Sequence, residues 1–279
     1  MANRRSFFKV AGIGVAAAAI PGLASASVSD TLGKKDEIKF DLGVASYSLR
    51  NFSQEEAIDM TLRCGVNRIC FKSMHLPLDS DSATIKKATA LCKEKGINLY
   101  GGGVIYMKSK EQVDQAFEYA KTAAMDMIVG VPNHELLEYV EGKVKEYGIK
   151  LAIHNHGPGD KLYPSAESAY NLIKNLDKRM GLCIDIGHTK RINRDPEQDV
   201  LEFFDRVFDV HIKDVTKAAT DGKTCIIGRG VINFPSFLTA IVKKGYSGSL
   251  ALEYEAEGDD PLPGMMESFG YIKGILATM

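Results

Sequence analysis

The chain has 279 residues, 45% of them apolar, with 35 basic residues against 36 acidic ones and no tryptophan. So even a charge balance speaks against a nucleic-acid backbone as partner, and the apolar fraction is that of an ordinary globular protein with a full core. With an N-terminal segment set aside, about 240 residues remain, close to the roughly 250 of one eight-stranded α/β barrel.

The N-terminal segment covers residues 1–27. Asn3-Arg4-Arg5-Ser6-Phe7-Phe8-Lys9 precedes an apolar stretch from Val10 to Leu23, and Ala24-Ser25-Ala26 supplies a small-x-small cleavage pattern. Paired arginines ahead of two phenylalanines predict a signal peptide for the twin-arginine export machinery, cleaved near Ala26 and leaving the mature chain in the periplasm or otherwise outside the cytoplasm. The apolar stretch falls short of the ~20 residues a membrane span needs, so no stable anchor is expected. Losing Arg4, Arg5 and Lys9 lowers the basic count from 35 to 32 against 36 acidic residues, a mature charge of roughly −4. Residues 28–37 read as a short linker and 38–279 as one domain.

Within that domain, strands are predicted at 40–48 (FDLGVASYS), 68–74 (RICFKSM), 98–106 (NLYGGGVIY) and 126–132 (DMIVGVP). Four hydrophobic runs follow as strands five to eight: KLAIHNHG, GLCIDIGH, VFDVHIKD and SLALEYEAE. Helical periodicity lies near 53–64, 82–95, 109–123, 134–147, 165–176, 197–204, 234–244 and 262–277. Ser53 and Glu56 form a capping box, and Gly65, Gly96 and Gly148 stand where helices should end. Eight strands alternating with eight helices predict a single (β/α)8 barrel.

The last four strands each end on a group that binds divalent cations: His154, Asp185, His211 and Glu253. Their spacings of 31, 26 and 42 residues match one βα unit of about 30, the last interval holding an extra loop. A parallel barrel delivers successive strand ends to one mouth. Side-chain alternation puts Cys183 with Asp185, Asp209 and Lys213 with His211, Ala251 and Glu255 with Glu253, and His156 with His154 on the inner face. Two imidazoles and two carboxylates favour Mn, Co, Ni, Fe or Zn over Mg.

Other residues near these ends carry chemistry. His156 is an acid/base or a partner of the ligands, and Lys213 either steadies a negative oxygen or pairs with a strand carboxylate. His188, beyond the sixth strand, is expected on a substrate hydroxyl. Lys72 and His75, where the second strand opens into its loop, read either as substrate contacts or as exposed loop residues, and Arg229 in Gly228-Arg229-Gly230, in the loop after the seventh strand where barrels often bind phosphate, reads as a contact to a substrate hydroxyl or carboxylate. Without tryptophan, Phe52, Phe71 or Tyr106 would form the apolar platform of a sugar site. Gly101, Gly102 and Gly103 thin the third strand and would leave space for a sugar, or ease a bend. Five cysteines, with no paired spacing, read as buried free thiols.

The runs IDIGH, VHIKD, GRGVINFPSFLTAIVKKGY and LALEYE resemble the sugar phosphate isomerase/epimerase family, the xylose-isomerase-like TIM barrels, over residues 40 to 275. The resemblance implies one divalent cation held by Glu, Asp, His and Glu from strands 5 to 8. Asp185, His211 and Glu253 match the last three, and His154, in IHNHG, stands where the family usually has Glu. It also implies proton removal from the carbon beside a cation-held carbonyl of a small sugar, with two carboxylates exchanging the proton in epimerases. Only Glu253 remains of that pair, so a second base must be His156, Lys72 or Glu255, or there is none.

The expected activity is isomerisation or epimerisation of a non-phosphorylated keto-sugar. A lyase or hydratase acting on a keto-sugar, keto-inositol or 3-keto-glycoside is the alternative, because one base with a nearby acid suits elimination. A sugar-binding barrel without chemistry is the second. Self-association is left open. A barrel-type DNA-repair phosphodiesterase would need a three-metal cluster and a basic groove, against the charge balance.

If the arginine pair is the recognition element, changing Arg4 and Arg5 together to Lys should hold the precursor in the cytoplasm, as read by cell fractionation. Normal secretion of that variant would place the chain on the general route.

Overall fold

The computed structural model describes residues 37–279; the predicted export segment lies outside the described residues. Eight parallel strands close into a barrel: β1 (Asp41–Ala45), β2 (Arg68–Phe71), β3 (Asn98–Met107), β4 (Met127–Pro132), β5 (Lys150–His154), β6 (Met180–Asp185), β7 (Val207–Ile212) and β8 (Ser249–Leu252). Each strand pairs with its neighbours in sequence, and β8 closes on β1. β4 and β6 are buried along their whole length, as expected for strands covered on both faces.

The helices α1 (Gln54–Arg63), α2 (Ser82–Glu94), α3 (Lys110–Thr122), α4 (Leu137–Tyr147) and α5 (Ala166–Ile173) alternate with the first strands. Their starts follow local chemistry. Ser53 and Glu56 form the predicted capping box, while Asp81 and Ser109 accept the N–H groups of Thr84 and Gln112. Gly65, Gly96 and Gly148 end helices at φ of 70°, 75° and 70°, a region glycine enters at least cost. In α3, Val113, Ala116, Phe117 and Ala120 form the apolar stripe that packs on the barrel.

Among the boundaries that differ from expectation, three have a clear local reason. β1 stops at Ala45 because Ser46–Leu49 turns into a short 3-10 helix. β2 stops at Phe71 because His75 N–H folds back on the Lys72 carbonyl at 2.9 Å. After β6, two short helices replace the one expected: α6 (Ile186–Arg191), capped by the Asp185 carboxylate, and α7 (Pro196–Glu202), started by Asp195 and proline. The last helices are α8 (Phe234–Lys244) and α9 (Leu262–Leu276).

The long connection between β7 and α8 contains a small antiparallel ribbon, Asp214–Val215 with Thr224–Cys225. The buried Asp214 carboxylate organises it, accepting the N–H groups of Val215, Gly228, Gly230 and Ile232 at 2.8 to 3.1 Å. The glycines of β3 do not make room for a sugar. A Cβ on Gly103, at φ +155°, would lie 2.1 Å from the Val129 carbonyl oxygen, and one on Gly101 would lie 3.0 Å from that of Met127. Glycine here lets the β4 backbone approach β3.

All five thiols are free, with Cys64, Cys70, Cys92 and Cys183 buried and Cys225 half-buried. Burial pushes the Cys64 and Cys92 thiols up to about 11. A thiol reagent at pH 8 should therefore label the native protein slowly and all five cysteines rapidly in denaturant. Fast native labelling of more than Cys225 would contradict this packing.

Candidate metal centre

Register brings the four strand ends to one level. Asp185 pairs with His211 across β6 and β7, and Ala251, two residues before Glu253, pairs with the same histidine across β7 and β8. The Glu253 N–H extends that ladder to the Ile212 carbonyl at 3.0 Å. His154 closes β5 beside Cys183 of β6.

Inward alternation then converges His154, Asp185, His211 and Glu253, whose ligand atoms all lie within 4.8 Å of one another and are buried. His154 Nε2 lies 3.1 Å from His211 Nδ1 and 3.7 Å from Asp185 Oδ2, and His211 Nδ1 lies 3.6 Å from Glu253 Oε2. Ligand bonds of about 2.1 Å at tetrahedral or octahedral angles put neighbouring donors about 3.0–3.4 Å apart, so the four fit one cation with small adjustments. Asp185 Oδ2 has no hydrogen bond although it is fully buried.

Charge supports the same fit. Lys213 places its ammonium 2.8 Å from Glu253 Oε2 and 3.0 Å from Asp185 Oδ2, the latter as an ion pair without hydrogen-bond alignment, and also bonds Glu255. Three carboxylates thus surround one ammonium. Burial lowers the His154 imidazole to about 3, so it is neutral with a lone pair to offer. Burial would also lower His211, but Glu253, Asp209 and Asp185 outweigh it and pull the ring toward its protonated form. That is where positive charge is wanting, and a cation on Nδ1 would supply it. Burial opposes ionisation of Asp185 and Glu253, yet His188 and Lys213 beside Asp185, and Lys213 and His211 beside Glu253, keep them below the carboxylate range. Burial likewise opposes the charge on Lys213, and the three carboxylates raise it well above its usual value.

Two residues that the sequence did not single out shape the centre. Asn155 clamps the Asp185 backbone, accepting its N–H at 3.0 Å and donating to its carbonyl at 3.4 Å. Gly187 has to lack a side chain, because a Cβ there would sit 2.2 Å from Lys213 Cγ. Both follow Asx and glycine patterns that have many meanings in a bare sequence.

The remaining predicted residues divide. His156 stands beside His154 with ring centroids 4.5 Å apart, its Nε2 3.1 Å from the Tyr106 hydroxyl and its Nδ1 3.5 Å from Asp160. Tyr106 is 48% exposed and stacks on His156, so it offers a ring face at the mouth. Lys72 is half-buried, with Nζ 4.3 Å from the Tyr47 ring centre and close enough to oppose protonation of His156, which burial already lowers. His188 lies in α6 with Nε2 3.9 Å from Asp185 Oδ2.

Two expectations are corrected and a third is narrowed. His75 is buried with Nδ1 on the Ser46 hydroxyl and Nε2 on the Leu49 carbonyl, so it ties the β1 and β2 loops together and has no nitrogen left for substrate. Arg229 is turned outward by the loop's fold around Asp214 and makes a two-bond pair with Glu267 of α9. Phe71 is core, and Phe52 packs half-buried against the core beside α1 and α9, leaving Tyr106 as the exposed ring of the three.

Residues 65–275 match the family model described as xylose isomerase-like TIM barrel. Among curated relatives, the rhizopine catabolism protein MocC of Rhizobium meliloti is 29% identical over 136 residues, which is 43% of this chain and 41% of that protein. The inosose dehydratase of Salmonella typhimurium is 31% identical over 134 residues, 42% of this chain and 44% of that enzyme. The matched stretch thus spans under half the length of these relatives. A solved D-tagatose 3-epimerase-like protein superposes with a TM-score of 0.71 at 19% identity, covering 86% of this chain and 98% of its own.

Asp185→Ala and His211→Ala should each abolish stoichiometric Mn or Zn binding, read by elemental analysis after dialysis. His154→Glu should strengthen Mn and Mg binding by adding a negative oxygen donor. Unchanged stoichiometry in both alanine variants would misplace the centre.

Proposed function

Since the chain belongs to the xylose isomerase-like TIM barrel family, we propose that it is a divalent-cation-dependent enzyme that removes a proton beside the carbonyl of a non-phosphorylated keto-sugar or keto-polyol. Four cation-binding side chains gathered at the barrel mouth carry this reading. The cation, when bound by His154, Asp185, His211 and Glu253, would polarise the carbonyl and make the neighbouring C–H acidic.

The chain's own groups would do the rest. Glu253 is the buried carboxylate best placed to take the proton, and Lys213 keeps it ionised at neutral pH. Its basicity is correspondingly low, so the reaction depends on prior acidification of the substrate carbon. Beside His154, His156 and Tyr106 form a hydrogen-bonded pair that can give a proton to a departing hydroxyl. Tyr106 supplies a face for the sugar ring and Lys72 a donor for its hydroxyls.

A single carboxylate base with an imidazole–phenol pair at the same mouth favours elimination of a β-hydroxyl. The dehydratase among the relatives supports this outcome. Epimerisation is the second reading, favoured by the fold shared with the D-tagatose 3-epimerase-like structure; it would need His156 to deliver a proton to the opposite face. A sugar-binding barrel without chemistry would have no use for an ionised Glu253 in the centre. Pairing of Arg229 with Glu267 removes the cation that the β7 loop would offer a phosphate, in keeping with an unphosphorylated substrate. We read residues 1–27 as directing this activity outside the cytoplasm.

Glu253→Gln keeps shape and an oxygen donor while removing basicity, a loss worth about 10²–10⁴ in rate for a general base. In deuterated water with a keto-sugar and keto-inositol panel, NMR should show exchange at the carbon beside the carbonyl for the parent and none for the variant. Exchange at the parental rate with metal still bound would reduce Glu253 to a ligand.

A further inference from the structure

Beneath the four converging side chains the barrel interior holds one more carboxylate that the proposed chemistry does not use. Asp209 lies two residues before His211 on β7, on the same inward face, and is fully buried. Its neighbours across the sheet are Cys183 on β6 and Ser249 on β8. A carboxylate in a barrel core is costly unless something engages it. Here one oxygen is held, Oδ2 accepting the Tyr100 hydroxyl at 2.9 Å, while Oδ1 has no hydrogen-bond partner.

The atom facing it is also without a partner. His211 directs Nδ1 at His154 Nε2 and Glu253, and its other nitrogen, Nε2, is buried, unpaired and 3.9 Å from Asp209 Oδ2. A neutral imidazole carries its proton on one nitrogen alone. Nδ1 can face a cation only when that proton sits on Nε2, and the group nearest Nε2 along β7 is a carboxylate. At 3.9 Å the coupling is that of an N–H dipole with a negative charge rather than a formed hydrogen bond.

We propose that Asp209 is a positioning residue for the centre, holding the proton of His211 on Nε2 so that Nδ1 is the nitrogen presented to the cation. This rests on the metal-centre reading above. Tyr100 is the brace of the arrangement, since its hydroxyl fixes the Asp209 carboxylate. Its ring is in turn covered by the Arg68 guanidinium at 4.5 Å, itself anchored on the Ser249 hydroxyl at 2.8 Å. The floor of the barrel thereby sets the tautomer of a ligand at its mouth.

The test uses full-length protein stripped of metal with a chelator, titrated with Mn or Zn in a calorimeter, and long-range ¹H–¹⁵N spectra of the His211 ring. At a pH high enough to leave the parent's ring neutral, its proton should sit on Nε2. Asp209→Asn should weaken metal binding by about tenfold or more, the range seen when a group orienting a metal-bound histidine is lost, and should shift the ring toward the Nδ1-protonated form. Tyr100→Phe, which keeps the carboxylate and removes only its brace, should move both readouts the same way by less. A folded Asp209→Asn with parental affinity and an unchanged tautomer overturns the proposal; if that variant does not fold, unchanged readouts in Tyr100→Phe do so. Undiminished binding by His211→Ala would instead bring down the metal-centre reading and this inference with it.

Discussion

The ammonium of Lys213 ties the ends of three adjacent strands together. It rises from the end of β7, beside His211, and reaches Asp185 at the end of β6 and Glu253 just beyond β8. Two carboxylates buried this close would repel one another and desolvate at a cost of several kcal/mol each without a counter-charge. With one ammonium between them they stay ionised and directed inward, and the surrounding sequence accommodates it. Gly187 gives up its side chain so that the lysine stem can pass, and Asn155 pins the Asp185 backbone from just beyond β5. One ammonium does not neutralise three carboxylates. The remaining deficit draws His211 toward protonation, and a cation bound there would meet it.

Much of this was legible in the sequence because a parallel barrel turns linear order into circular order. Four strands ending on His154, Asp185, His211 and Glu253 have to present those ends at one mouth, and period-two alternation decides which neighbours share the interior. The same alternation put Lys213 and Glu255 on the inner face, and the structure joins them. The capping box at Ser53 and the glycines at 65, 96 and 148 were legible for a different reason: they act within a few residues.

What was not legible depends on contacts distant in sequence. His75 looked like a loop residue at the mouth, but Ser46 and Leu49, on the previous connection, occupy both its nitrogens. Arg229 stood beside the phosphate-binding position of many barrels, yet Asp214 gathers four N–H groups of that loop and leaves the guanidinium to Glu267. The glycines of β3 suggested space, and the close passage of β4 fills it. In each case residue type and position were right for a site, and a partner far along the chain decided otherwise. Asn155 and Asp214 went unnoticed for the complementary reason, since their roles exist only through backbone groups that the fold brings to them.

The proposed chemistry depends on four strand ends forming one cation site with two nitrogen and two oxygen donors. X-ray absorption at the metal edge of protein loaded with one equivalent of Zn or Mn addresses it directly. The prediction is a first shell of nitrogen and oxygen at about 2.0–2.2 Å, with the outer-shell scattering of two imidazole rings. A shell of oxygen alone, with no imidazole signature, would contradict it.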